Sequence, residues 1–435
     1  MNSHHALVVG VVALATVRAG AQKPPAPRQL GAIVRTSTNP LASAATAVAM
    51  PDGQVLVNDI AARRLLLFDS TLTKTIIVAD TTGATANAYG VRAGTLIAYR
   101  GDSALYIDIG SLSMLVIGPS GKIARIMAVP RPDEAQSLIG SVFGMPAFDA
   151  AGRLVSYGRV GGGEGTLMLC CVGFIKTTDL PRRPDSQPTD SAFVVRSDLA
   201  TRSVDTVAAV KIPRIRNTVK ADEQNYVQGI ETTYYPLPVV DDWAVTSDGT
   251  IAIVRGTDYH VDWLRRDGKW ESSPKLPFDW QRLDDARKTA IIDSSVASHE
   301  EANRAETARS ASGAGAGGGR GAGGGRAGGE AAGGRARPRE IPNLVGRPQL
   351  GDLPDYVPPF LRGAVRADAE GNLWIRTSTV VSGQPVYDIV NRRGELADRV
   401  QLPPFRTIAG FSPGFVYMAV KDSTGAVHLE RARVK

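Results

Sequence analysis

All-β is the fold class that this 435-residue sequence predicts, and three observations predict it. The first is a recurring phrase: an apolar run, a turn of Asp or Ser with Gly, then an alternating strand. It reads Ala49-Met50-Pro51-Asp52-Gly53-Gln54-Val55-Leu56-Val57, and again Ala147-Phe148-Asp149-Ala150-Ala151-Gly152-Arg153-Leu154-Val155. It returns as Val245-Thr246-Ser247-Asp248-Gly249-Thr250-Ile251-Ala252-Ile253 and as Val365-Arg366-Ala367-Asp368-Ala369-Glu370-Gly371-Asn372-Leu373-Trp374-Ile375. Gly tolerates positive φ and Asp bonds its own backbone, so each copy is a tight hairpin. The second is spacing: with turns near Asp102 and Gly414 there are six, about fifty residues apart once two insertions are set aside. The third is that 43% hydrophobic and 21% charged residues suit a soluble chain too long for one ordinary core. Together they predict a six-bladed β-propeller closed by an N-terminal strand, with a helical and Gly/Arg-rich disordered insertion.

The elements follow in order. Residues 1–21 read as a signal peptide: an uncharged apolar run over 6–17, then Ala19-Gly20-Ala21 as a small-residue cleavage site. Residues 22–29 are a Pro-rich leader, and 30–435 the propeller. Strand-like residues 30–36 belong to no unit, so they are expected to complete the sixth and close the ring. Unit one spans strands at 55–58, 65–68 and 75–78; unit two, 94–99, 104–107, 114–117 and 122–127. Unit three begins near Pro146, is broken by Gly- and Pro-rich sequence, and resumes at 192–196 and 203–207. Unit four takes 243–245, 251–255, 261–264 and 269–271; unit five, 363–367, 373–376, 386–390 and 396–401. Unit six has 407–411, 415–420 and 427–431 and lacks a fourth strand. Residues 281–340 form the insertion, a short amphipathic helix with Ala286, Ala290, Ile291, Val296 and Ala297 on one face. Its Gly/Ala/Arg remainder has too little apolar surface to offset chain entropy and is expected to be disordered.

A net charge of +7 would suit a nucleic-acid partner, but the export signal argues against one. The expected location is periplasmic or secreted, with no membrane span after cleavage and a monomeric chain. The two cysteines, Cys170 and Cys171, are adjacent and form no disulfide framework; their oxidation state stays open.

No catalytic residue emerges. His260, His299 and His428 are scattered, with no metal-ligand spacing. Gly410-Phe411-Ser412-Pro413-Gly414 matches a hydrolase elbow literally, yet Pro413 lacks the N–H an oxyanion hole needs. The candidate ligand-binding residues are polar and aromatic groups flanking the inner strands. They are Tyr226, Glu231, Tyr234, Tyr235, Asp241 and Asp242 before unit four, and Tyr356 and Arg362 before unit five. Tyr89, Arg92 and Arg100 are the corresponding residues in unit two. Aromatic rings of this kind also serve as ordinary packing between sheets. No cofactor is expected. The alternative is Ca²⁺ or another divalent cation in the channel, with Asp241, Asp242, Glu231 and Glu164 as the carboxylates to test.

The stretch Ala367-Asp368-Ala369-Glu370-Gly371-Asn372-Leu373-Trp374-Ile375, with residues 387–394 and 415–418, resembles the hairpins of exported bacterial six-bladed propellers of the NHL/TolB-like group. The resemblance covers roughly 30–280 and 345–435 and implies fold rather than activity, because such propellers host lactonases, lyases and binding modules alike. The expected function is therefore a binding or interaction scaffold for a peptide, glycan, small molecule or protein partner. The alternative is a divalent-metal-dependent lactonase, lyase or hydrolase.

Overall fold

A computed structural model describes residues 23–44, 46–81, 89–90, 94–139, 144–158, 190–311 and 342–435. The signal-like segment, Arg92, Glu164, both cysteines and the Gly/Arg-rich run lie outside them. Among the described residues, small antiparallel sheets follow one another along the chain. The first joins Thr46–Ala49, Val55–Asp59, Arg64–Phe68 and Thr75–Ala79; the second joins Thr95–Tyr99, Ser103–Asp108, Ser113–Ile117 and Ile123–Ala128. The third takes Ala147–Phe148, Leu154–Gly158, Ser191–Ser197 and Val204–Lys211. The fourth takes Asp242–Val245, Ile251–Arg255, His260–Leu264 and Trp270–Ser272. Phe360–Ala367, Leu373–Val381, Gln384–Val390 and Leu396–Gln401 make the fifth, and Arg406–Ser412, Phe415–Lys421 and Val427–Arg433 the sixth.

The strands read as apolar runs because both faces of each sheet are covered. Side chains alternate across a strand, so neighbours in sequence face different neighbouring sheets. Val55 and Val57 pack with Ala409, Tyr417 and Ala419 of the sixth sheet, while Leu56 between them packs with Leu96 and Tyr106 of the second. Leu373 and Ile375 likewise face the fourth sheet, and Trp374 the sixth. Every large core cluster is shared by two consecutive sheets, and one joins the last sheet to the first. The fold is a β-propeller.

Two N-terminal strands add to this frame. Ile33–Thr36 pairs antiparallel with Val427–Arg433, with Ile33 opposite Ala432 and Thr36 opposite Glu430. Arg28–Gln29, expected as free leader, pairs parallel with Leu396–Gln401, and the Arg399 guanidinium donates to the Pro25 carbonyl at 2.8 Å.

Two features depart from expectation. Residues 215–234, read as loop, are the hairpin Ile215–Ala221 and Val227–Tyr234, with Asn343–Gly346 added in parallel to make a separate three-stranded sheet. The insertion opens as the helix Asp285–Ala311, longer than expected and turned to a different face. Ala286, Ala290 and Ala297 are exposed, Ile291 and Val296 are half-buried, and the fully inward residues are Lys288 and Ile292. The Lys288 ammonium is held by Asp355 at 2.9 Å, so an ion pair rather than an alanine stripe fixes the rotation. Among the described residues, no helix is long and apolar enough to cross a membrane.

Candidate functional site

Each inner strand enters from a connection between sheets and leaves into a tight turn, so the propeller has a loop end and a turn end. Positive φ at Gly53, Asp102, Gly152, Gly249, Gly371 and Gly414 marks the turn end. This polarity separates the residues singled out in the sequence.

Tyr89 lies at the loop end but is buried, its ring 4.9 Å from that of Tyr106 and its hydroxyl donating to Asn58 Oδ1 at 2.9 Å. It staples the first two sheets, and burial raises its phenol pKa. Arg100 follows its inner strand and therefore sits at the turn end, donating to the Gly152 carbonyl at 2.8 Å. It is remote from the rest. Tyr226 closes the tip of the added hairpin, where its N–H meets Asp222 Oδ1 at 2.8 Å. Glu231 pairs with Lys220 across that hairpin at 3.1 Å, and Tyr234 stacks on His299 of the helix at 4.0 Å. The first two brace the added hairpin, and Tyr234 joins it to the helix.

Asp241 and Asp242 begin the inner strand of the fourth sheet and diverge. Asp241 accepts from Arg255 Nη1 at 2.9 Å, from the Lys211 N–H at 3.0 Å and from the Gly256 N–H at 3.1 Å. Asp242 is enclosed against the fifth sheet, where its carboxylate accepts the Val365 N–H at 3.0 Å. Burial pushes its pKa up to about 6 against the pull of those N–H groups. With Glu231 engaged elsewhere, the three described carboxylates do not converge on one point. Among the described residues there is no cluster of His, Cys, Asp or Glu suited to a metal ion. His260 lies between Asp258 and Asp262, His428 on the Ser37 carbonyl, and His299 on the helix, in three separate places.

Tyr235 lines an open space, and Asp241 is joined to it only through the Lys211 N–H. The space is a cleft of about 400 Å³, lined by Lys211, Arg214, Tyr235, Asp190, Asp352 and Leu353 among others. The Arg214 guanidinium lies 4.7 Å above the Tyr235 ring and 3.6 Å from Asp352. Tyr235 and Asp352 both favour its charged form and raise its pKa. Sequence reading missed Lys211, Arg214 and Asp352. Lys211-Ile212-Pro213-Arg214 was a usable local signal, two cations where proline ends a strand; Asp352 becomes a neighbour only through the fold.

The segment after Asp352 leads to a second feature. A ladder of rings climbs from the core to the surface: Phe360 to Tyr259 at 6.0 Å, Tyr259 to Phe278 at 5.8 Å, Phe278 to Trp280 at 5.2 Å, and Trp280 to Tyr356 at 6.4 Å. Its outer rungs, Trp280 and Tyr356, are 38% and 46% exposed. Below, the Tyr259 hydroxyl donates to the buried Asp388 carboxylate at 2.8 Å, which also accepts from Arg399 at 2.8 Å. Arg362 lies exposed at the start of the same inner strand as Phe360.

No family model matches this chain, and no curated protein is similar to it in sequence. Among solved structures it is similar to virginiamycin B lyase from Staphylococcus aureus, at 10% identity and TM-score 0.37, over 91% of this chain and 97% of that one. It is similar to a gluconolactonase from Xanthomonas campestris, at 9% identity and TM-score 0.36, over 93% and 99% of the two chains. Regucalcin from Agrobacterium tumefaciens, a calcium-binding protein, is similar at 11% identity and TM-score 0.35, over 94% and 97%.

Proposed function

We propose that this chain is an exported, monomeric six-bladed propeller of the NHL/TolB-like group that acts as a binding or interaction scaffold. The six shared core clusters support the blade count, and the pairing of Ile33–Thr36 with Val427–Arg433 supports closure by the N-terminal strand. The signal-like N-terminus supports export to the periplasm or beyond.

The binding surface is the loop end between the third and fifth sheets, and the observation that carries it is the cleft beside Tyr235. Its cations Lys211 and Arg214 oppose the carboxylates Asp190 and Asp352 beside an aromatic face. Such a lining suits a small ligand of both signs, such as a short peptide, and Trp280 and Tyr356 offer rigid rings for a longer one. Neither cofactor nor nucleic acid is needed for this role.

A panel of short peptides and oligosaccharides, screened by shift in melting temperature, tests the reading. A hit lost on Tyr235→Ala, with melting of the free protein little changed, supports the cleft; a hit that survives places binding elsewhere. Metal analysis of the purified chain separates the enzymatic alternative. A stoichiometric, chelator-sensitive divalent ion would favour a metal-assisted lactonase, lyase or hydrolase.

A further inference from the structure

Apolar side chains are exposed together at the loop end of the fifth sheet, beyond the cleft. Phe405 is 87% exposed and holds φ at +60°, a left-handed conformation that costs a non-glycine residue stability. Neither property helps the fold: the ring buries nothing, and Gly or Asn would sit there with less strain. A strained, solvent-directed aromatic is an observation from which a role can be inferred.

Its surroundings share the pattern. The second and third strands of the fifth sheet meet at a hairpin tip where Val380 is 61% exposed and Val381 is also exposed. The Gln401 side chain donates to the Val381 carbonyl, tying that tip to the strand that leads into Phe405. Ser378 bonds the Pro358 and Pro359 carbonyls, bringing the exposed Leu361 alongside the hairpin. The three stretches that build this surface, 358–364, 376–387 and 402–406, contain Arg362, Arg376 and Arg406 and not one Asp or Glu. Arg406 pairs with Glu430, whereas Arg362 and Arg376 are exposed.

We propose that this end of the fifth sheet docks on the surface of an anionic phospholipid bilayer. Phe405, Val380 and Val381 enter the interface between headgroups and chains, while Arg362 and Arg376 meet the phosphates. Apolar tips beside exposed cations match the two layers of such a surface, and the nearby acids Glu430 and Asp388 are already held by Arg406 and Arg399. The inference does not depend on the cleft having a ligand.

Co-sedimentation of the full chain tests it, using vesicles of phosphatidylcholine with and without about 30 mol% phosphatidylglycerol. The chain is expected to pellet with anionic vesicles and to be released by high salt. The double substitution Phe405→Asp and Val380→Asp should lower partitioning at least about tenfold without lowering the melting temperature. Arg362→Glu with Arg376→Glu should weaken binding to anionic vesicles only, by about fivefold or more per residue. Three results would overturn the proposal. In the first the chain pellets with neither vesicle; in the second both double variants bind like the parent, leaving the apolar run at 6–17 as the contact. In the third, the parent is a dimer that Phe405→Asp splits without affecting vesicle binding, which would make the patch a self-interface.

Discussion

The turn end and the loop end of this propeller are built from different materials. At the turn end the work is local and repeated. Asp149 accepts its own following N–H groups, Thr246 and Asp248 fold the next copy, and Asp368 accepts the Asn372 N–H at 2.8 Å. Adjacent turns are tied through backbone: Arg100 to the Gly152 carbonyl, Arg392 to the Glu370 carbonyl, and the Gly414 N–H to the Glu370 carboxylate. At the loop end each junction has its own side-chain solution, such as Asp59 gathering the Ser43 N–H and Arg64, or the Tyr259–Asp388–Arg399 group. A repeated end preserves geometry, and an unrepeated end is free to carry a site.

The largest effect should come from the loop end. Arg399→Met removes the partner of a buried carboxylate at Asp388 and should cost about 3–5 kcal/mol in chemical denaturation. A loss below about 1 kcal/mol would mean that the group is solvated. At the turn end, Gly249 has φ +83° and a Cβ there would clash with the Ala150 nitrogen of the neighbouring turn. Gly249→Ala should cost about 2–4 kcal/mol. Gly268 has nearly the same φ, +84°, but open space around it, so Gly268→Ala should cost only about 1 kcal/mol. Equal losses would remove the claim that adjacent turns are braced by backbone contact.

Asp242 supplies a pH-dependent test. The unfolded chain releases this proton near pH 3.8, whereas the fold retains it to about 6. Stability should therefore fall as pH rises through that window, by no more than about 3 kcal/mol, and this contribution should be level above it. Asp242→Asn should flatten that part of the profile; an unchanged slope would assign it to other carboxylates. The smallest effect on stability belongs to the cleft. Tyr235→Ala should change unfolding free energy by less than about 1 kcal/mol, because its ring contacts an exposed guanidinium, and should act on ligand binding instead.

The same contrast explains what could be read in the sequence. Strands such as Val55–Asp59 and the first half of Leu373–Val381 were legible because burial on both faces makes an apolar run, and turn chemistry brackets it. Ile215–Ala221 was not, since it is largely exposed and carries Arg216, Asn217, Thr218 and Lys220. The parallel partner of its hairpin, Asn343–Gly346, is more than a hundred residues further along. Tyr235 was visible as an aromatic before an inner strand, but Arg214 and Asp352 meet it only in three dimensions. Arg100 was grouped with the loop-end residues by composition, although chain direction alone sends a residue that follows an inner strand to the opposite end.

The proposed closure rests on the pairing of the N-terminal strand Ile33–Thr36 with the outer strand of the sixth sheet. Amide hydrogen exchange across the pairing of Ile33–Thr36 with Val427–Arg433 measures this directly. Protection of the bonded amides of 33–36 should approach that of the strand they flank, and both should be lost together in denaturant. Free exchange at 33–36, beside a fully protected 427–433, would mean that the ring holds without its clasp.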